Sequence, residues 1–88
     1  STFSMFSGKA EPVKLRFENR FVNAMIDRFG YETKIHIEDD EHFSVVVNIK
    51  TEHPEPFFAW VFKFGGAVEI VEPVELRERY AEMIKSML

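Results

Sequence analysis

The run FAWVFKFGGAVEIVEPVELRERY, residues 58–80, sets the architecture of this chain. An apolar helix ends at a Gly-Gly break, a short strand follows, and a proline opens an amphipathic helix. Almost no residue is left over for loops. Elements spaced this closely must pack on one another, which points to a compact α+β unit. The run holds no nucleophile beside a base and no glycine-rich phosphate cradle. Its information is therefore architectural.

Upstream of this run, Pro54 and Pro56 stop a strand. Proline is tolerated in the first helical turn, where its missing N–H has no partner in any case. The spacing predicts a helix over residues 56–64, apolar on nearly every side through Phe57, Phe58, Trp60, Val61, Phe62 and Phe64. Such a helix is heavily buried or contacts something else. Residues 42–50 alternate, with Phe43, Val45, Val47 and Ile49 on one face. Residues 33–38 alternate too, with Ile35 and Ile37 inward, and Asp39 and Asp40 turn between the two as in a β-hairpin.

Further upstream, Phe21, Val22, Met25, Ile26 and Phe29 recur at helical spacing. Asn19 is the candidate cap before them and Gly30 the stop after them. Residues 13–18 set Val13, Leu15 and Phe17 against Lys14, Arg16 and Glu18, a half-buried strand. Downstream, residues 67–71 read as a fourth strand. Pro73 opens a helix to the chain end, with Leu76, Tyr80, Met83, Ile84 and Met87 as its stripe. Glu75 and Arg79 stand four apart on it, the spacing of a helix-surface ion pair. The order β-α-β-β-α-β plus a helix predicts an α+β, ferredoxin-like sandwich with an additional C-terminal helix.

With 88 residues, one small domain is expected. Hydrophobic residues make up 45% of it, ten of them Phe, which supplies a core and excludes intrinsic disorder. The net charge of −4 argues against binding duplex DNA through bulk charge. The absence of cysteine excludes disulfides, thiolate metal sites and a cysteine nucleophile, and fits a reducing compartment. No apolar run approaches the ~20 residues that span a bilayer. Residues 1–11 show no clean period, yet Phe3, Met5 and Phe6 are apolar. We read them as a connection from a preceding domain, with the domain proper at residues 12–88 and the chain as a C-terminal fragment.

Trp60, Phe64-Gly65, Val68-Glu69-Ile70, Glu72-Pro73 and Leu76-Arg77 together resemble the tail of WYL-domain transcriptional regulators, their C-terminal extension or WCX domain. Val13-x-Leu15-x-Phe17 resembles the first strand of that extension, and Phe3-x-Met5-Phe6-x-Gly8 the connection from the WYL domain. The resemblance implies a bacterial, cytoplasmic regulator with an N-terminal winged helix-turn-helix, a ligand-sensing WYL domain and this ferredoxin-like module. It implies a non-catalytic role in dimerisation and in coupling effector binding to DNA binding. Neither the helix-turn-helix nor the Trp-Tyr-Leu motif lies in this chain, so no residue role transfers from them. The alternative is a stand-alone ACT-like domain binding a small anion at a dimer interface.

Two surfaces are candidate sites. Alternation turns Lys14, Arg16, Lys34, His36 and Lys50 to the open sheet face, a local basic patch suited to an anionic effector, a nucleic-acid strand or an acidic partner. The competing reading is a solvated face neutralised by Glu18, Glu38 and Glu69. The second surface is apolar: Phe57, Trp60, Phe62, Tyr80 and Met87, a candidate interface with the WYL domain or a second copy. RNA binding would need stacking aromatics on the outer face, but Phe17 and Phe43 have inward parity. Acylphosphatase-like chemistry rests on Arg20 and Asn48 alone, without a backbone anion cradle. His36, His42 and His53 lack ligand spacing, and the acidic residues 38–41 lack the central glycine of a calcium loop. No cofactor, metal or membrane partner is expected.

Overall fold

The computed structural model describes residues 8–88. The elements are β1 (Ala10–Glu18), α1 (Val22–Phe29), β2 (His36–Ile37), β3 (His42–Lys50), α2 (Glu55–Phe62), β4 (Val68–Glu72) and α3 (Val74–Ser86). Short 3-10 turns at Asn19–Phe21 and Gly65–Ala67 lead into α1 and β4. The four strands form one antiparallel sheet in the order β2-β3-β1-β4. Each crossover helix thus joins two strands with a third between them, which is the ferredoxin-like α+β arrangement expected.

Alternation drives β1 and β3 together. Val13, Leu15 and Phe17 are fully buried, and their partners across the ladder are Val47, Val45 and Phe43. The Phe17 and Phe43 rings stack at 5.0 Å. Met25 from α1, Phe58 and Val61 from α2 and Leu76 from α3 close the core over that face. Among the described residues, no element covers the other face of the sheet.

The helix starts and stops have local causes. Pro56 sits in the first turn of α2, and the Phe58 N–H donates to the Pro54 carbonyl at 2.8 Å. After α2 the chain reverses at Gly65, whose φ of +58° is strained for any side-chain-bearing residue. Gly30 stops α1 as expected, its N–H reaching the Ile26 carbonyl at 2.7 Å.

Several expectations need correction. The strand expected at residues 33–38 is two residues long, and Ile35 and Ile37 are 46% and 79% exposed rather than inward. Ile37 keeps the parity of its partner Phe43, but the helices do not cover the sheet out to this edge. Asn19 does not cap α1: its side-chain amide donates to the Asp40 carbonyl at 2.9 Å and ties the end of β1 to the hairpin turn. Arg79 does not pair with Glu75 but donates to the Thr51 carbonyl at 2.9 Å. Strand β1 also begins at Ala10, three residues before the expected alternation. Of the connection read at residues 1–11, Phe3, Met5 and Phe6 lie outside the described residues.

Candidate functional site

Burial of Val13, Leu15 and Phe17 forces Lys14 and Arg16 to the opposite, open face. The ladder then sets Val46 across from Lys14, and Ser44 across from both Arg16 and His36. Lys34 and Ile35 follow from the loop before β2. The result is an open cavity of about 610 Å³, with Lys14, Lys34 and His36 around Ile35, Ser44 and Val46. Val46 is 62% exposed and supplies an apolar floor. Three of the five expected patch residues therefore meet at one place. Lys50 does not, since it lies at the far end of β3 opposite Ala10.

The charges on this face are partly spent internally. Arg16 Nη2 donates to both carboxylate oxygens of Glu69 at 2.9 Å. That contact raises the Arg16 pKa further, so the guanidinium is permanently charged and committed to Glu69. Its Nε is buried without a partner among the described residues. Lys14 Nζ lies 3.7 Å from Glu38 Oε2, and the Ser44 hydroxyl donates to the same oxygen at 2.9 Å. The Ser44 bond, and then Lys14, hold the Glu38 carboxyl below the usual carboxylate range. Lys34 and His36 make no ion pair among the described residues.

The apolar candidates separate in the fold. Phe57 is 3% exposed and belongs to the core, so it offers no surface. Trp60 is half-buried, edge-on to Phe17, Phe29 and Phe64. Phe62 is 46% exposed and Met87 56%. Tyr80 packs its ring 5.2 Å from Phe58, and burial raises its phenol pKa. Phe62 and Tyr80 share a groove of about 370 Å³ along β4, together with Gly65, Ile70, Arg77 and Ile84. Gly65 and Arg77 were not singled out as site residues from the sequence. Their signal was available: Arg77, Tyr80 and Ile84 share one helical face, and a glycine beside them leaves the groove open.

The minor readings lose their geometry. Phe17 and Phe43 stack inside the core, away from any base on the outer face. Arg20 pairs with Glu18 at 2.8 Å, while Asn48 sits opposite Pro12. Those two points are about 20 Å apart along β1, at ~3.3 Å per residue. Asp39 accepts from the Glu41 N–H and from the His42 ring, so the acidic run is a bonded hairpin turn. Among the described residues, no group of three or more His, Asp or Glu side chains could hold a metal ion. No helix there is long and apolar enough to cross a membrane.

The family model described as WCX domain matches residues 9–88, nearly the whole chain and all the strands and helices of the described residues. The chain belongs to the WCX domain family. As a WCX domain it is a regulatory domain of WYL-type regulators, a family not known as enzymatic. No curated protein and no solved structure matches this WCX domain significantly.

Proposed function

We propose that this WCX domain serves the assembly of its parent regulator and couples effector binding to DNA binding by a helix-turn-helix outside the chain. The observation that carries this reading is the groove along β4. Phe62 and Ile84 line it outside the core cluster, beside Ile70 of the core and Tyr80, which packs against that core. Its occupant on this reading is the WYL domain of the same regulator, and the domain acts there as a lever between the sensing and DNA-binding parts. The test is made in the parent regulator. Replacing Phe62→Ser together with Ile84→Ser should collapse the effector-dependent change in operator affinity, ordinarily about 5–150-fold, towards one. Full coupling in that variant would overturn the reading.

A second reading, small-anion binding by an ACT-like module, is favoured by the cavity beside Lys14, Lys34 and His36. An NMR titration with inorganic phosphate and, separately, with a short single-stranded oligonucleotide tests it. Shifts centred on Lys34, His36 and Val46, and lost in Lys34→Ala, support the reading. No shift at millimolar phosphate or with the oligonucleotide removes it.

A further inference from the structure

β2 is the outermost strand on one side of the sheet. The Glu38 N–H donates to the His42 carbonyl at 3.0 Å, which makes Glu38 and His42 a bonded pair of the ladder. Bonded and non-bonded pairs alternate in an antiparallel ladder. His36 opposite Ser44 is thus a bonded pair as well, and the backbone N–H and C=O of Ile37 and Ile35 turn away from β3. They have no backbone partner among the described residues. Such an edge is a template for another strand. Its side chains alternate between exposed apolar Ile35 and Ile37 on one face and Lys34, His36 and Glu38 on the other.

We infer that two copies of the chain pair antiparallel through β2, about a two-fold axis at His36, so that one sheet runs through both. This rests on the assembly reading above and adds to the β4 groove the surface through which two copies meet. In this register Ile35 meets the partner's Ile37, and Lys34 meets the partner's Glu38. Both kinds of cross-strand pair are stabilising, and each occurs twice by symmetry. The backbone groups that bond between copies are those of Ile35 and Ile37, the ones that β3 leaves free. Moving the axis to Ile35 would set Lys34 against the partner's His36. Moving it to Ile37 would set Ile35 against the partner's Asp39. The register centred on His36 therefore satisfies charge and apolar matching together. Within one copy, Ser44 and Lys14 both use Glu38 Oε2, which leaves Oε1 for the partner's Lys34.

Sedimentation velocity of the 88-residue chain over a wide concentration range tests this, using Lys34→Glu, Glu38→Lys and their equimolar mixture. The unsubstituted chain should dimerise. Each variant alone turns both charge contacts from attraction to repulsion and should raise the dimer Kd about tenfold or more. The mixture should recover the original Kd, because each copy then meets the opposite charge at both positions. A chain that stays monomeric, variants that dimerise unchanged, or a mixture that fails to recover each overturn the inference. Unchanged dimers in both variants would leave the assembly reading standing with its interface elsewhere. If circular dichroism shows that Glu38→Lys does not fold, Ile37→Pro takes its place. Ile37 is 79% exposed with its N–H outward, so the fold tolerates proline there while the intermolecular donor is lost. A dimer surviving that change would equally overturn the inference.

Discussion

Phe17 is the largest fully buried side chain among the described residues. It is fully buried, stacks on Phe43 at an interplanar angle of 2°, and receives the edge of Trp60 at 6.1 Å. Truncating it removes the ring and leaves a cavity between sheet and helices. Phe17→Ala should cost about 3–5 kcal/mol, much of the stability of so small a domain. Urea unfolding followed by Trp60 fluorescence measures this directly, and a loss below ~1 kcal/mol would show that the layer collapses to fill the gap. At the same scale, the sequence correctly placed Lys14, Arg16 and His36 on one face, because side-chain alternation in a strand is local geometry. It set Glu69 on the same face as a neutralising group but did not show that Arg16 is the cation it holds, since the two are 53 residues apart. Nor did it show that Phe57 is spent in the core, since a helix apolar all round gives no internal sign of which side is covered.

At the scale of elements, the turn between α2 and β4 separates two adjacent glycines by conformation. Gly65 has φ +58°, whereas Gly66 does not adopt a left-handed backbone. No atom lies within 4 Å of a Cβ built on either, so space does not distinguish them. Gly65→Ala should therefore lose ~1–2 kcal/mol through the left-handed backbone alone. Gly66→Ala should be neutral or gain about 0.4–1 kcal/mol by restricting the unfolded chain. Thermal unfolding of the two variants side by side checks the contrast, and equal effects would show that the turn relaxes to a different path. The elements themselves were legible wherever apolar periodicity was strong, as in β3 and α3. The weak element was β2, where an alternating pattern of the right kind met a helical layer that stops short of the sheet edge.

At the scale of the whole molecule, the helices occupy one face of the sheet and leave three features open: the outer face, the β2 edge and the β4 groove. The two proposals about assembly use different ones. Pairing through β2 extends the sheet to eight strands, four from each copy. It places the two β4 grooves at opposite ends of that sheet, each free for a neighbouring domain of its own regulator. The cavity beside Lys34 lies next to the paired edge, so an anion bound there would act on Lys34 and on the contacts between copies. If both proposals hold, anion binding would have a direct physical route to assembly. The net charge of −4 on each copy repels, but salt screens that repulsion beyond about 8–10 Å, while Lys34 and Glu38 match at short range across the edge.

Local sequence patterns specify the order of elements, the inward and outward faces of β1 and β3, the glycine and proline boundaries, and the WCX pattern. These follow from periods of two and of about 3.6 residues and from backbone preferences, all of which act within a few residues along the chain. Packing in three dimensions sets which ion pairs form, which aromatics remain exposed, how short β2 becomes, and where the cavity and the groove open. Those outcomes depend on how far one layer reaches over another and on partners distant in sequence, which no local pattern encodes.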